Sequence, residues 1–169
     1  MSAPREELVD LVDEDDRVIG CVTRAQMRAG NLLHRNVAVL CKRSDGAIYV
    51  HRRTATKDLF PSCYDMFVGG VVSAGESYAH AAEREIGEEL GIVGTLPQRL
   101  FHHRCEGPRT RSHTEVFEVV WDGAITHQAS EVAWGGYRTL RELIDNHERF
   151  DFVADGAEIF ARYLQTRPR

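Results

Sequence analysis

The chain has few cysteines, no long apolar run and no excess of positive charge. Its four cysteines, Cys21, Cys41, Cys63 and Cys105, lie far apart and form no C-x-x-C pair. That spacing argues against a structural zinc site or a disulfide framework and favours a reducing compartment, the cytoplasm. No stretch approaches the roughly 18 apolar residues that a membrane span needs. The first segment, MSAPREELVDLVDEDDRV, is acidic and does not read as a signal peptide. A net charge of −5 argues against stable binding of nucleic acid by phosphate neutralisation, although a local basic patch could still hold a small anion. Internal repeats and low-complexity linkers are also missing.

What is present fits one soluble domain over residues 1–169. Apolar residues make up 43% and charged residues 28% of the chain, an ordinary globular balance with enough length to bury a core. Residues 7–12 and 17–22 read as short strands around an acidic turn, and 23–28 as a short helix closed by Gly30. Together they form a hairpin extension over residues 1–30. Asn36–Arg43 and Ala47–Arg52 read as a hairpin turned at Ser44-Asp45-Gly46, where glycine supplies positive φ. Further strands are expected at 64–68, 100–105 and 114–121, and helices at 140–146 and 152–164. Strands around a central helix, with helices at the end, imply a mixed α/β layered domain.

The strongest helix runs from Ser77 to Leu90. Ala79, Ala82, Ile86 and Leu90 recur at helical spacing as a narrow apolar stripe. Gly91 stands where a C′ glycine belongs, and Ile92 can fold back over the last turn. On a wheel of about 100° per residue, Glu85, Glu88 and Glu89 share one arc at the edge of that stripe. Like charges at i,i+3 and i,i+4 repel by a few tenths of a kcal/mol per pair. Either the face is solvated, with Arg84 as partial relief, or a cation holds the carboxylates. Hard oxygen donors select Mg²⁺ or Mn²⁺. The glycine-rich run before the helix, Gly69-Gly70 and then Gly75, would let backbone approach a phosphate or a metal.

Gly70, Glu76, Arg84-Glu85-Ile86, Glu88-Glu89 and Gly91-Ile92 match the Nudix box GX5EX7REUXEEXGU at every fixed position over residues 70–92. The chain is therefore identified as a member of the Nudix hydrolases. The resemblance implies a mixed sheet sandwiched between helices (α/β/α) and Mg²⁺-dependent hydrolysis of an organic diphosphate, such as a nucleoside diphosphate linked to another group. It implies Glu85, Glu88 and Glu89 as metal ligands, the Gly70 carbonyl as a further one, and Arg84 as the residue that orients them. Glu76 would fix the loop.

Leu32-Leu33-His34-Arg35 and Arg52-Arg53-Thr54-Ala55-Thr56-Lys57, with Pro61 beyond, resemble the isopentenyl-diphosphate-isomerase-like branch, in particular its YfcD-like hydrolases. The likeness covers most of residues 7–145. Arg52, Arg53 and Lys57 are then candidate diphosphate contacts, although strand alternation keeps Arg52 and Arg53 from facing the same site. The isomerases themselves carry a cysteine and a histidine where this chain has Gly69 and Val71; Cys63 lies six residues too early. His34 resembles a metal-ligand histidine of those isomerases, but its expected partner is Val71. An isomerase and a non-catalytic nucleotide-binding module are the alternatives, and a module usually loses box carboxylates that this chain keeps.

A further carboxylate from outside the helix has two candidates. Glu131 opens EVAWGGY, resembling a loop glutamate six residues before an aromatic, and Glu115 alternates with Phe117 and Val119 towards the interior. Adjacent strand residues His102 and His103 face opposite ways and cannot chelate one ion. Pro108 fits hairpin-turn chemistry. A homodimer could form through the N-terminal hairpin or the last helix. The organic group on the diphosphate is not encoded in any motif after the box.

Overall fold

The sheet is organised by one long apolar strand with partners on both edges. The computed structural model describes residues 6–167. Strand β3 (His34–Lys42) carries Val37, Ala38, Val39, Leu40 and Cys41, all buried, so both of its faces need cover. On one edge it pairs antiparallel with β6 (Phe67–Val71), in the register Ala38↔Gly69 and Leu40↔Phe67. On the other it pairs in parallel with β8 (Arg111–Val120), from His34↔Ser112 to Lys42↔Val120. β7 (Gln98–Glu106) closes that side antiparallel to β8.

The expected hairpin 36–52 is corrected in one respect. Gly46 does turn the chain with φ at 87°, but β3 and β4 (Ile48–Arg53) pair only at Lys42↔Ile48. Beyond that base they diverge, and β4 takes β5 (Tyr64–Asp65) on one edge and β9 (Val132–Arg138) on the other. The run 64–71 therefore serves both halves, its first residues pairing β4 and its last pairing β3. The sequence reading names no element over β9. Its Gly135-Gly136 pair weakens any strand signal, yet Gly135 is required there: a β-carbon would fall 1.9 Å from the Tyr49 hydroxyl.

Helix α2 (Tyr78–Leu90) covers one face. Its Ala81, Ala82, Ile86 and Leu90 pack on Val37, Val39, Val68, Phe117 and Val119. Ala79 is exposed, and the buried stripe instead runs through 81/82, 85/86 and 89/90. Helices α3 (Leu140–Asp145) and α4 (Ala154–Thr166) cover the other face, where Leu143, Ile159, Phe160 and Tyr163 meet Leu40, Val50, Phe67 and Val116. The result is the expected α/β/α sandwich about a mixed sheet.

The N-terminal hairpin, β1 (Leu8–Val12) and β2 (Val18–Thr23), leads to the short helix α1 (Arg24–Gly30). A Thr23–Gln26 capping box starts α1, and Asn31 rather than Gly30 takes the left-handed cap, at φ 45°. Met27 anchors the helix by packing with Val9 and Val71. Among the described residues no helix is long and apolar enough to cross a membrane.

Candidate active site

β6 delivers Gly69-Gly70 to the mouth of the sheet, and the loop that follows is tied down from three directions. Val72 donates its N–H to the Arg35 carbonyl at 3.0 Å, Ala74 to the Leu8 carbonyl at 2.9 Å, and Gly75 to Asp10 Oδ2 at 2.8 Å. The N-terminal hairpin thus braces the glycine loop. Ser77 then caps α2 by accepting from the His80 N–H, and Gly91 ends it at φ 68° with Ile92 bonded back to Ile86 at 3.1 Å.

The acidic face splits by burial. Glu85 and Glu89 are 8% and 7% exposed, while Glu88 is exposed to solvent. Burial, with Glu85 beside it, pushes the Glu89 carboxyl up to about 8. Burial also raises Glu85, opposed by Arg84. Arg84 forms a fork: Nε and Nη2 donate to the two Glu76 oxygens at 3.0 Å each, and Nη1 donates to Glu85 at 2.7 Å. Glu76 also accepts from the Ser73 N–H at 3.0 Å, so it joins loop to helix.

The segment after β8 docks on the end of α2. Thr126 donates to the Leu90 carbonyl at 3.0 Å and Gln128 to the Glu89 carbonyl at 3.2 Å. Glu131 then donates its N–H to the Gln128 carbonyl at 2.9 Å and accepts Thr54 N–H at 3.1 Å, which sets its side chain against Lys57 Nζ. One cleft is consequently lined by Gly70, Glu85, Glu88, Glu89, Glu131 and Lys57. It opens into a second chamber, sharing Arg24, Lys57, Gly69, Gly70 and Glu89 with it.

The structure brings together Gly70, Arg84, Glu85, Glu88, Glu89, Glu131 and Lys57, with Arg53 in the adjoining chamber. Arg52 and Glu115 stand elsewhere. Arg52 points to the opposite face of β4, donating to the Ser62 carbonyl at 3.0 Å and lying over the Tyr64 ring. Glu115 takes both arms of Arg99, at 2.6 and 3.1 Å, and meets His102 Nδ1 at 2.9 Å. His103 turns the other way, towards Glu158 and Arg162 on α4. His34 is buried in the chamber wall, bonded to the Leu32 carbonyl at 2.9 Å, and burial pulls it down to about 4.

Three chamber groups were not foreseen. Arg24 and Arg28 come from α1, and their i,i+4 spacing was the available signal. Asp65 is buried and pushed up to about 7 by desolvation while it accepts the Phe67 N–H at 3.0 Å; a lone acid in a strand gives no warning of that.

A Nudix domain model matches residues 32–163 of this chain. The chain belongs to the Nudix family. A Nudix hydrolase of Streptomyces coelicolor is 46% identical over 159 residues, covering 93% of this chain and 88% of that protein. The Nudix hydrolase YfcD of Escherichia coli K12 is 36% identical over 94% of this chain and 87% of its own length. The crystal structure of DR0079 from Deinococcus radiodurans superposes with a TM-score of 0.81 at 28% identity, covering 92% of this chain and 98% of that one. The Nudix chain thus stands among YfcD-like hydrolases, as its RRxxxK and LLHR segments led one to expect.

A divalent cation fits this Nudix site by donor chemistry. Two buried carboxylates side by side, both raised by burial, are what a hard cation would relieve. The absence of a β-carbon at Gly70 leaves room against Glu85. Among the described residues no three His, Cys, Asp or Glu side chains form a ready-made cage. Arg84 occupies Glu85 and reaches Glu88 at 3.5 Å, so a cation would compete with that guanidinium.

Proposed function

We propose that this protein hydrolyses the phosphoanhydride of an organic diphosphate, such as a nucleoside diphosphate joined to a further group, with Mg²⁺ or Mn²⁺. The observation that carries this reading is the one cleft lined by Glu85, Glu88, Glu89, Glu131, Lys57 and Gly70. Glu85, Glu88, Glu89 and the Gly70 carbonyl would hold the ion. When bound, it neutralises phosphate charge and makes water more acidic.

The chain's own groups do the rest. Lys57, which lines both chambers, and Arg53, in the second, place positive charge beside the acidic cleft, where a phosphate oxygen would lie. Glu131, held by Lys57, offers a carboxylate that can accept the proton of an attacking water as the phosphorus–oxygen bond breaks. Arg84 keeps Glu85 oriented from behind. Glu115, already saturated by Arg99 and His102, serves the β7–β8 face and not the cleft.

The isomerase alternative is disfavoured by packing. A β-carbon at Gly69 would fall 2.0 Å from the Val37 carbonyl oxygen, so no cysteine can stand there in this register. A binding module is disfavoured by the intact set of carboxylates. The deciding assay measures phosphate and nucleotide release from a panel of diphosphates with Mg²⁺, beside Glu89→Gln. Metal-dependent release that the variant lacks supports the hydrolase. Equal turnover by the variant would refute the site assignment.

A further inference from the structure

The chamber beside the acidic cleft is lined by basic and acidic groups together. Arg24, Arg28, Arg53 and Lys57 line it beside Asp58, Asp65, Glu89 and Asp155, so the case for an anion rests on which of the basic groups lack a hydrogen-bond partner. Arg53 has no carboxylate within salt-bridge distance among the described residues; its Nε donates only to the Leu59 carbonyl, at 3.2 Å. The two α1 arginines each hold one acid in a long ion pair, Arg24 with Glu7 at 3.5 Å and Arg28 with Asp58 at 3.8 Å. The Nε atoms of Arg24 and Arg28 are both buried with no hydrogen-bond partner among the described residues. Buried donors of this kind ordinarily have an acceptor.

The placement of α1 is fixed. Met27, buried against Val9 and Val71, faces the core, while Arg24 and Arg28 lie one helical turn apart beside it. The Thr23–Gln26 capping box holds the start of the helix, and Asn31 Nδ2 donates to the Gly107 carbonyl at 3.1 Å at its end. Arg28 is the more enclosed of the two, its side chain 23% exposed against 41% for Arg24.

We propose that Arg24 and Arg28 form a second anion subsite, so that the preferred substrate carries at least one phosphate beyond the two of its scissile diphosphate. The extra phosphate could be the end of a triphosphate or an ester on the organic group; both present the same oxygens to a guanidinium fork. This inference rests on the organic-diphosphate reading above and gives the N-terminal extension a part in specificity.

Calorimetry on the full chain, with inorganic triphosphate and inorganic diphosphate as probes, tests it. The wild type should bind triphosphate about tenfold more tightly, the scale of one charge-assisted contact. The double variant Arg24→Gln, Arg28→Gln should lose that preference, and Arg28→Lys should keep part of it. Circular dichroism checks that each variant is folded. Equal binding of the two probes by the wild type, or an equal loss for both in the variant, overturns the subsite.

Turnover separates the two sources. In the Arg28→Gln enzyme, KM should rise for a nucleoside triphosphate if the subsite takes a terminal phosphate. It should rise for a nucleoside diphosphate joined to a phosphorylated sugar if it takes an ester. Fastest hydrolysis of a diphosphate capped by a neutral sugar, unchanged in the variant, overturns the subsite and leaves the hydrolase standing. Triphosphate selectivity without hydrolysis of any compound would do the reverse.

Discussion

Gly70 lies against the carboxylate of Glu85, so that a β-carbon on it would stand 2.6 Å from Glu85 Oε1. The obstructing atoms belong to the end of a side chain, not to backbone, and that distinction sets what Gly70→Ala should do. The Glu85 carboxylate can swing away, so the fold should lose less than about 1 kcal/mol, within the range of a tolerated substitution. The displaced carboxylate should lower kcat about tenfold or more, as a shift of about 1 Å at a reacting site can. Thermal melts and steady-state kinetics on the same preparation check both halves. A stable variant with full activity would place the working position of Glu85 elsewhere.

Glu89 makes a prediction about pH. Its folded value, about 8, lies above the ordinary glutamate value of 4.5, because burial and Glu85 disfavour the charge. A raised carboxyl contributes stability that is fully present below about 4.5 and is lost as pH climbs through about 8. The metal-free protein should therefore become less stable across that window, and Glu89→Gln should flatten the slope. Asp65, raised to about 7 by burial, adds a slope of the same sign, so Asp65→Asn is the control. Urea unfolding in the presence of a chelator at several pH values measures each share. A slope that survives in Glu89→Gln but vanishes in Asp65→Asn would assign the effect to Asp65.

The two candidate outer carboxylates should separate cleanly. Glu131→Gln should lower kcat by about 10²-fold or more, the usual cost of removing a positioned base, with little change in melting temperature because its side chain is 31% exposed. Glu115→Ala should do the opposite. It strips the partner from Arg99 and His102 at a buried position and should destabilise the fold by about 1–3 kcal/mol. Its kcat should stay near wild type. An inactive, stable Glu115→Ala would reverse the two assignments.

The central helix could be read from local chemistry, because Ser77, Gly91 and Ile92 act within one turn of themselves. The features that escaped the sequence are set at longer range. Hairpin signals around Gly46 predict a turn, but they carry no information on how far β3 and β4 stay paired. That is decided by the run 64–71, whose β5 pairs β4 and whose β6 pairs β3 beyond their shared base. Ala79 fits a helical stripe as well as Ala81 does; only the sheet beneath selects between them. Glu131 could be placed near the site by resemblance, whereas the pairing of Glu115 with Arg99 follows no sequence pattern. Arg24 and Arg28 were legible as a pair on a helix, not as part of a cavity.

Arg84 offers the last test, because it touches three carboxylates and each contact uses fork geometry. Its Nε and Nη2 grip Glu76 in two parallel bonds, Nη1 holds Glu85, and Nη2 also reaches the Val71 carbonyl at 3.3 Å. Lysine keeps the charge but presents a single point, so Arg84→Lys can hold Glu76 or Glu85, not both. If Arg84 acts by positioning, kcat should fall about 10–100-fold, the cost of losing support behind a metal ligand. The Mg²⁺ concentration for half-maximal activity should rise with it. Glu76→Gln weakens the same grip from the other side, so its effect and that of Arg84→Lys should combine to less than their sum. A purely structural role would lower the melting temperature of both variants and leave the Mg²⁺ dependence where it is in the wild type. Additive losses with that dependence unchanged would remove Arg84 from the metal site and return it to the loop.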